Sequence, residues 1–168
     1  MSTKTFQNIP QFVAFLAGVS ASMPMARRKA LDTACVIVKT EAKRVLGTYD
    51  YGWTELADAT KADRIRKGFP ENEPGLRSGG MRDSVEHKVR DVGILQTEGN
   101  VGSNNDKAVW FELGTKKQPP RSFLAAAAMA KANEIEAAIG RTIGITFDSG
   151  GVSSTGVPFN PIGFTLRP

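Results

Sequence analysis

His87 and Cys35 are the only histidine and the only cysteine in the chain. An imidazole works as a general base when a nucleophile lies beside it, and no nucleophile motif accompanies His87. The chain holds no G-x-S-x-G, no P-loop and no G-x-G-x-x-G. One histidine and one cysteine do not make the usual ligand set of a zinc site. The carboxylates are scattered among basic residues with no D-x-D spacing. His87 is therefore read as a structural side chain. The expectation is a protein that is not an enzyme, with no catalytic residue, no metal and no cofactor. Distant carboxylates can still converge in a fold.

Charge is the next feature that could do chemistry. The net charge of +5 is uneven: residues 1–47 carry seven Lys/Arg against two Asp/Glu, and the remainder carries fifteen of each sign. An excess of basic residues attracts phosphate. It also suits a solvated helix face. Nucleic-acid modules match poorly, with no aromatic-plus-basic RNA-binding signature and no C2H2 spacing. Gly18 to Pro24 is longer than the tight turn of a helix-turn-helix.

The elements that must position these residues come from periodicity. At 168 residues, with 40% hydrophobic and 23% charged, the chain is long enough for one domain with its own core. Ile9 to Val19 predicts a short helix. A second follows from Ser22 or Met23, with Leu31, Ala34, Val38, Ala42 and Val45 on one face and Gly47 after its end. Arg27, Arg28, Lys39, Lys43 and Arg44 lie mostly off that stripe. Ala57 to Lys67 reads as a third helix and Gly68 to Gly80 as a loop. Val85, His87 and Val89 alternate with charged residues, so a half-buried strand is expected, with a turn near Asp91 to Gly93 and a second strand over Leu95 to Gly102. Ala108 to Leu113 is a compact helix ended by Gly114. Ser122 is a candidate cap for an Ala-rich helix from Phe123 to Ile139, with Gly140 as its stop. A strand is expected near Ile143 to Phe147. No apolar run approaches the roughly 20 residues that cross a bilayer. The lone cysteine suits a reducing, cytoplasmic compartment.

Two segments carry a resemblance. Upstream stands Trp53-x-x-Leu56-x-x-x-Thr60, followed by Ser78-Gly79-Gly80-Met81-Arg82-Asp83-Ser84-Val85. Downstream stands Val101-Gly102-Ser103-Asn104, then Ala108-x-x-x-Glu112-x-Gly114-Thr115, then Pro119-Pro120-Arg121-x-Phe123-Leu124-x-x-Ala127. In order and spacing this resembles the tail-component family of tailed bacteriophages. That family is related to minor tail protein Z and to the virion-morphogenesis, or tail-completion, proteins. The resemblance covers about residues 50–140. Three positions depart from the family pattern: Lys107 stands where tyrosine is usual, Ser122 where proline is usual, and Met81 where leucine is usual.

The resemblance implies an α+β fold. A small, mainly antiparallel sheet would pack against the long N-terminal helix and the C-terminal Ala-rich helix, with an extended C-terminal arm. It implies one domain over residues 1–140, with N-terminal helices in 9–47 and the framework in 50–140, and an extension over 141–168. Its function would be structural, at the head–tail interface of a virion assembled in the host cytoplasm. The chain would form a ring, commonly a hexamer, that completes or terminates the tail and joins it to the head. Partners would be copies of itself, the tail tube protein and the connector or stopper proteins. DNA would pass through the channel without sequence-specific binding, and no membrane is implied. A small DNA-binding protein acting through the basic N-terminal helices is the alternative.

Within this reading Trp53, Gly80, Glu112, Gly114, Thr115 and Phe123 are framework residues. Gly79 and Gly80 release the chain into the first strand, and Glu112 bonds backbone in the loop that follows it. Trp53, Leu56, Trp110, Phe111 and Phe123 are expected to be mostly buried. The Lys116–Arg121 loop is a stiff, charged surface segment, so Lys116, Lys117 and Arg121 are candidate partner contacts. Phe159 and Phe164 are candidate anchors of an arm laid across a neighbouring subunit or ring. A terminal strand completing the chain's own sheet, with Ile143–Phe147 its place, is the other reading of that segment.

Overall fold

The computed structural model describes residues 3–148 and 163–166. The fold is α+β. Its elements are β1 (Thr3–Phe6), α1 (Ile9–Val45), α2 (Asp58–Arg66), α3 (Gly80–Asp83), β2 (Val85–Asp91), β3 (Thr97–Ser103), α4 (Asp106–Leu113), α5 (Leu124–Ala130), α6 (Ala132–Asp148) and β4 (Gly163–Leu166). Strands β2 and β3 form an antiparallel hairpin, and β1 pairs with β4 in parallel. The chain divides into two compact units. One comprises Met1–Ala34, Val89–Gly99 and Glu134–Pro168; the other comprises Cys35–Lys88 and Asn100–Asn133.

Helix α1 corrects the expectation of two N-terminal helices. It runs unbroken through Gly18–Pro24, with Pro24 inside it. Pro24 removes one backbone donor. Just before it, the Ser22 hydroxyl donates to the carbonyls of Gly18 and Val19 at 3.1 and 3.0 Å, a local bond that the turn tolerates. The start of α1 is fixed by Asn8, whose Oδ1 accepts the Gln11 N–H at 3.0 Å, while Gln11 Oε1 accepts the Gln7 N–H. Lys4 and Arg27 bracket a stretch with no charged residue. By length and composition, α1 is therefore long and apolar enough to cross a membrane, which corrects the reading of its apolar run as too short. Ile9, Val13, Leu16 and Met25 are exposed along it.

In the first unit Phe6 packs on Phe12 and Phe15, with ring centroids 5.3 and 5.2 Å apart. Arg27 donates to the carbonyls of Leu95 and Ile94 at the hairpin tip, and Arg28 pairs with Asp91. Helix α6 belongs to this unit almost entirely. It overrides two expectations, because Gly140 does not stop it and Ile143–Phe147 is helical. Ala138, Thr142 and Thr146 are spaced at i, i+4 and i+8. The two threonine hydroxyls donate to the carbonyls four residues back, at 3.0 and 3.1 Å. β-Branched residues that read locally as a strand thus sit on a helical stripe with their hydroxyls satisfied. The strand that pairs within the chain is instead Gly163–Leu166, where Lys4 stands opposite Phe164. Phe159 and most of the expected arm lie outside the described residues.

The core of the second unit is Ala42, Val45, Leu46, Met81, Val85, Ala108, Phe111, Phe123 and Ala127. Ala42 and Val45 of the α1 stripe read from the sequence belong to it, with Ala108 and Phe111 from α4 and Ala127 from α5. Phe123 is fully buried, and Phe111 lies between Trp53 and Phe123, at centroid distances of 5.3 and 6.0 Å. Trp53 and Leu56 are half-buried. Trp110 corrects the list, since it is 55% exposed. It precedes Phe111 on α4, and neighbours one residue apart do not share a helix face. The Ala-rich helix breaks at Lys131, so α5 and α6 are separate. Gly79, at φ 80°, opens the short turn α3 before the strand, so the two glycines do not lead directly into β2.

Candidate partner-binding site

The segment from α4 to α5 is held by its own backbone. Gly114 ends α4 at φ 75°, and a Cβ there would lie 2.7 Å from the nitrogen of Pro120, so glycine is required sterically as well as conformationally. Thr115 and Gln118 then close a tight turn. The Thr115 N–H donates to the Gln118 carbonyl at 2.8 Å, and Thr115 Oγ1 accepts the N–H groups of Lys117 and Gln118. Lys116 and Lys117 are the exposed tip of this turn.

Arg121 does not share that exposure, and its placement as a surface contact is corrected. It is 4% exposed. Its N–H donates to the Phe111 carbonyl at 2.8 Å, and its guanidinium donates to the carbonyls of Thr54 and Glu55. A planar fork of donors can reach two carbonyls at once. Arg121 therefore ties the 115–121 loop to the chain that leads into α2.

Glu112 holds the next helix. Its carboxylate accepts the N–H groups of Phe123, Leu124 and Ala125 at 2.7, 3.0 and 3.0 Å, and the Ser122 hydroxyl at 2.6 Å. The first N–H groups of a helix have no intrahelical partner, and this carboxylate supplies one from α4. Ser122 was expected to cap the helix, but no side chain at the start of α5 does so; Ser122 donates to the true cap. Burial opposes ionisation of Glu112. The Ser122 hydroxyl and the three N–H groups outweigh it, so the carboxyl titrates below its ordinary range.

A second polar cluster lies at the end of α1. Glu41, 7% exposed, accepts from the Arg44 guanidinium at 2.7 and 2.9 Å and from the Tyr51 hydroxyl at 3.0 Å. The Arg44 bond lowers the Glu41 pKa to about 2, against the opposing effect of burial. Burial, followed by the bond to Glu41, pushes the Tyr51 hydroxyl up to about 12. Two other α1 cations also have a partner. Lys39 and Lys43 approach Glu86 at 3.9 Å.

Between α2, the 75–81 segment, α4 and the 115–121 loop lies a cleft of about 820 Å³. Lys107, Lys117, Arg64, Arg77 and Arg121 line it, with Glu55 as its one acidic residue. Trp110 and Leu56 supply apolar wall. Lys117 and Arg121 were read as contacts from sequence, although Arg121 is buried here; Arg64, Arg77, Lys107 and Trp110 were not. Trp110 carries a local signal, an aromatic directly beside the buried Phe111 on the same helix. His87 is half-buried on β2 and Cys35 is buried on α1. Among the described residues no group of three or more His, Cys, Asp or Glu side chains could hold a metal ion.

No family model, curated protein or solved structure matches this chain. What the site can do rests on its own geometry: a rigid backbone turn with a cationic tip, beside a cleft of unbalanced positive charge.

Proposed function

We propose that the chain is a structural protein of a tailed-bacteriophage virion. It forms a ring that completes or terminates the tail and joins it to the head connector. The observation that carries this reading is the ordered series of motifs over residues 50–140, from Trp53 to Ala127. The geometry of those motifs supports a scaffold role. Gly114, Thr115, Glu112 and Phe123 bond or pack within the chain, so each has a structural reason for its type that needs no substrate. The Lys116–Lys117 tip is stiff and exposed, so ordering it on a partner costs little conformational entropy.

The test is depletion of the protein during phage growth. The expected result is separate filled heads and tails that fail to join, visible by electron microscopy and rescued by the protein supplied in trans. Joined, infectious particles without the protein would overturn the reading. So would a purified monomer with salt-sensitive DNA affinity, which would favour the DNA-binding alternative.

A further inference from the structure

We propose that the cleft walled by Trp110 is a docking groove for an acidic peptide segment of a partner protein, its carboxylates taken by Lys107, Lys117 and Arg77 and an apolar side chain laid on Trp110. The charge balance of the groove is the first argument. Five of its lining side chains are cationic and one, Glu55, is acidic. Glu55 is already bonded to Lys61 at 3.0 Å. Arg64 and Arg121 are 7% and 4% exposed, and their guanidinium groups donate to backbone carbonyls. Carbonyl dipoles satisfy hydrogen bonds but leave the net charge uncompensated, and neither residue forms an ion pair among the described residues. Arg77 shares the single carboxylate of Asp63 with Arg66 and Lys67. Lys107 and Lys117 have no ion pair among the described residues. The groove therefore holds fewer carboxylates than cations, and carboxylates form stronger, charge-assisted bonds with such donors.

The second argument is Trp110. It is 55% exposed on a helix whose neighbouring Phe111 and Ala108 are buried. An exposed indole beside unpaired cations has the composition of an interface centre, where Trp and Arg dominate binding. The volume decides between kinds of polyanion. About 820 Å³ takes a few side chains. A nucleic-acid strand instead needs a long track of cations on successive phosphates, whereas the free lysines here are two. The proposal goes beyond the tail-joining reading and does not depend on it, since the groove would take the same peptide in any assembly.

Isothermal titration calorimetry on the full chain tests it, with the blocked peptide acetyl-Asp-Leu-Glu-Leu-Asp-amide as probe. The expected result is saturable binding that weakens with salt. The same peptide with lysine at the acidic positions should not bind. The double variant K107E and K117E changes two exposed side chains, so it should fold normally and bind at least about tenfold more weakly. Trp110→Ala should unfold at the wild-type temperature and also lose about tenfold in affinity. The idea is overturned if the acidic and lysine peptides bind alike, if neither binds, if the folded variants bind like wild type, or if a short oligothymidylate binds more tightly than the acidic peptide.

Discussion

The carboxylate of Glu112 takes the backbone N–H of Phe123, eleven residues ahead, at 2.7 Å. One side chain at the end of α4 thus sets both the start of α5 and the depth of the most buried aromatic ring in the core. The intervening loop, with its Gly-Thr turn and its two prolines, is fastened at this bond and at Arg121.

Glu112→Ala strands three helix-start N–H groups and the Ser122 hydroxyl. Hydrogen bonds to a charged group contribute about 1.5–3 kcal/mol, so the expected loss of stability is about 2–3 kcal/mol, read as a lower urea midpoint. The folded pKa of Glu112 is depressed. Its contribution is therefore present above the ordinary carboxylate range and lost as pH falls through the folded value. Equal urea midpoints for the variant and the wild type would show that the cap does not form in solution.

Glu41 and Tyr51 give stability opposite pH limits. For Glu41 the folded pKa of about 2 lies below the ordinary 4.5. Its contribution is complete above 4.5 and is lost as pH falls toward 2. For Tyr51 the folded value of about 12 lies above 10.0, so its contribution is complete below 10 and lost as pH rises through 12. Glu41→Gln should flatten the acid limb of the stability–pH curve, and Tyr51→Phe the alkaline limb. Chemical denaturation across both windows measures this; an acid limb unchanged in Glu41→Gln would rule out the Arg44–Glu41 pair as its source.

Arg121 and its neighbouring lysines should separate cleanly. Arg121→Ala removes the donors to Thr54 and Glu55 from a buried position, at a cost of about 2–3 kcal/mol. Arg121→Lys should recover little, because an ammonium lacks the planar fork that reaches both carbonyls. Lys116→Ala and Lys117→Ala, at exposed positions, should each stay within about 0.5 kcal/mol of wild type. Thermal melts of the four variants provide the comparison, and a wild-type melt for Arg121→Ala would return that residue to the surface.

Several features of this protein were already legible in the chain as written. The stripe of Ala34, Val38, Ala42 and Val45 placed the buried face of α1, and alternation from Val85 placed β2. The Gly114 stop followed from local rules of helix ends. Each depends on residues a few positions apart, where backbone sterics and side-chain period act directly.

Tertiary structure decided the rest. The sequence around Pro24 reads as a break, yet α1 continues, because one lost donor costs less than ending a helix whose flanking turns are packed or bonded. Ile143–Phe147 reads as a strand, yet Ala138, Thr142 and Thr146 align on one helical face, with Ala138 and Thr146 buried and both threonine hydroxyls bonded four residues back. Trp110 and Phe111 are adjacent and both aromatic, but only the position of α4 over the core determines which one is buried. Arg121 reads as a loop cation, and only the arrival of the Thr54 and Glu55 carbonyls makes it a buried tie. The cleft likewise gathers Arg64, Arg77, Lys107 and Lys117 from separate elements. Such groupings depend on contacts between residues far apart in the chain, and local propensity does not encode them.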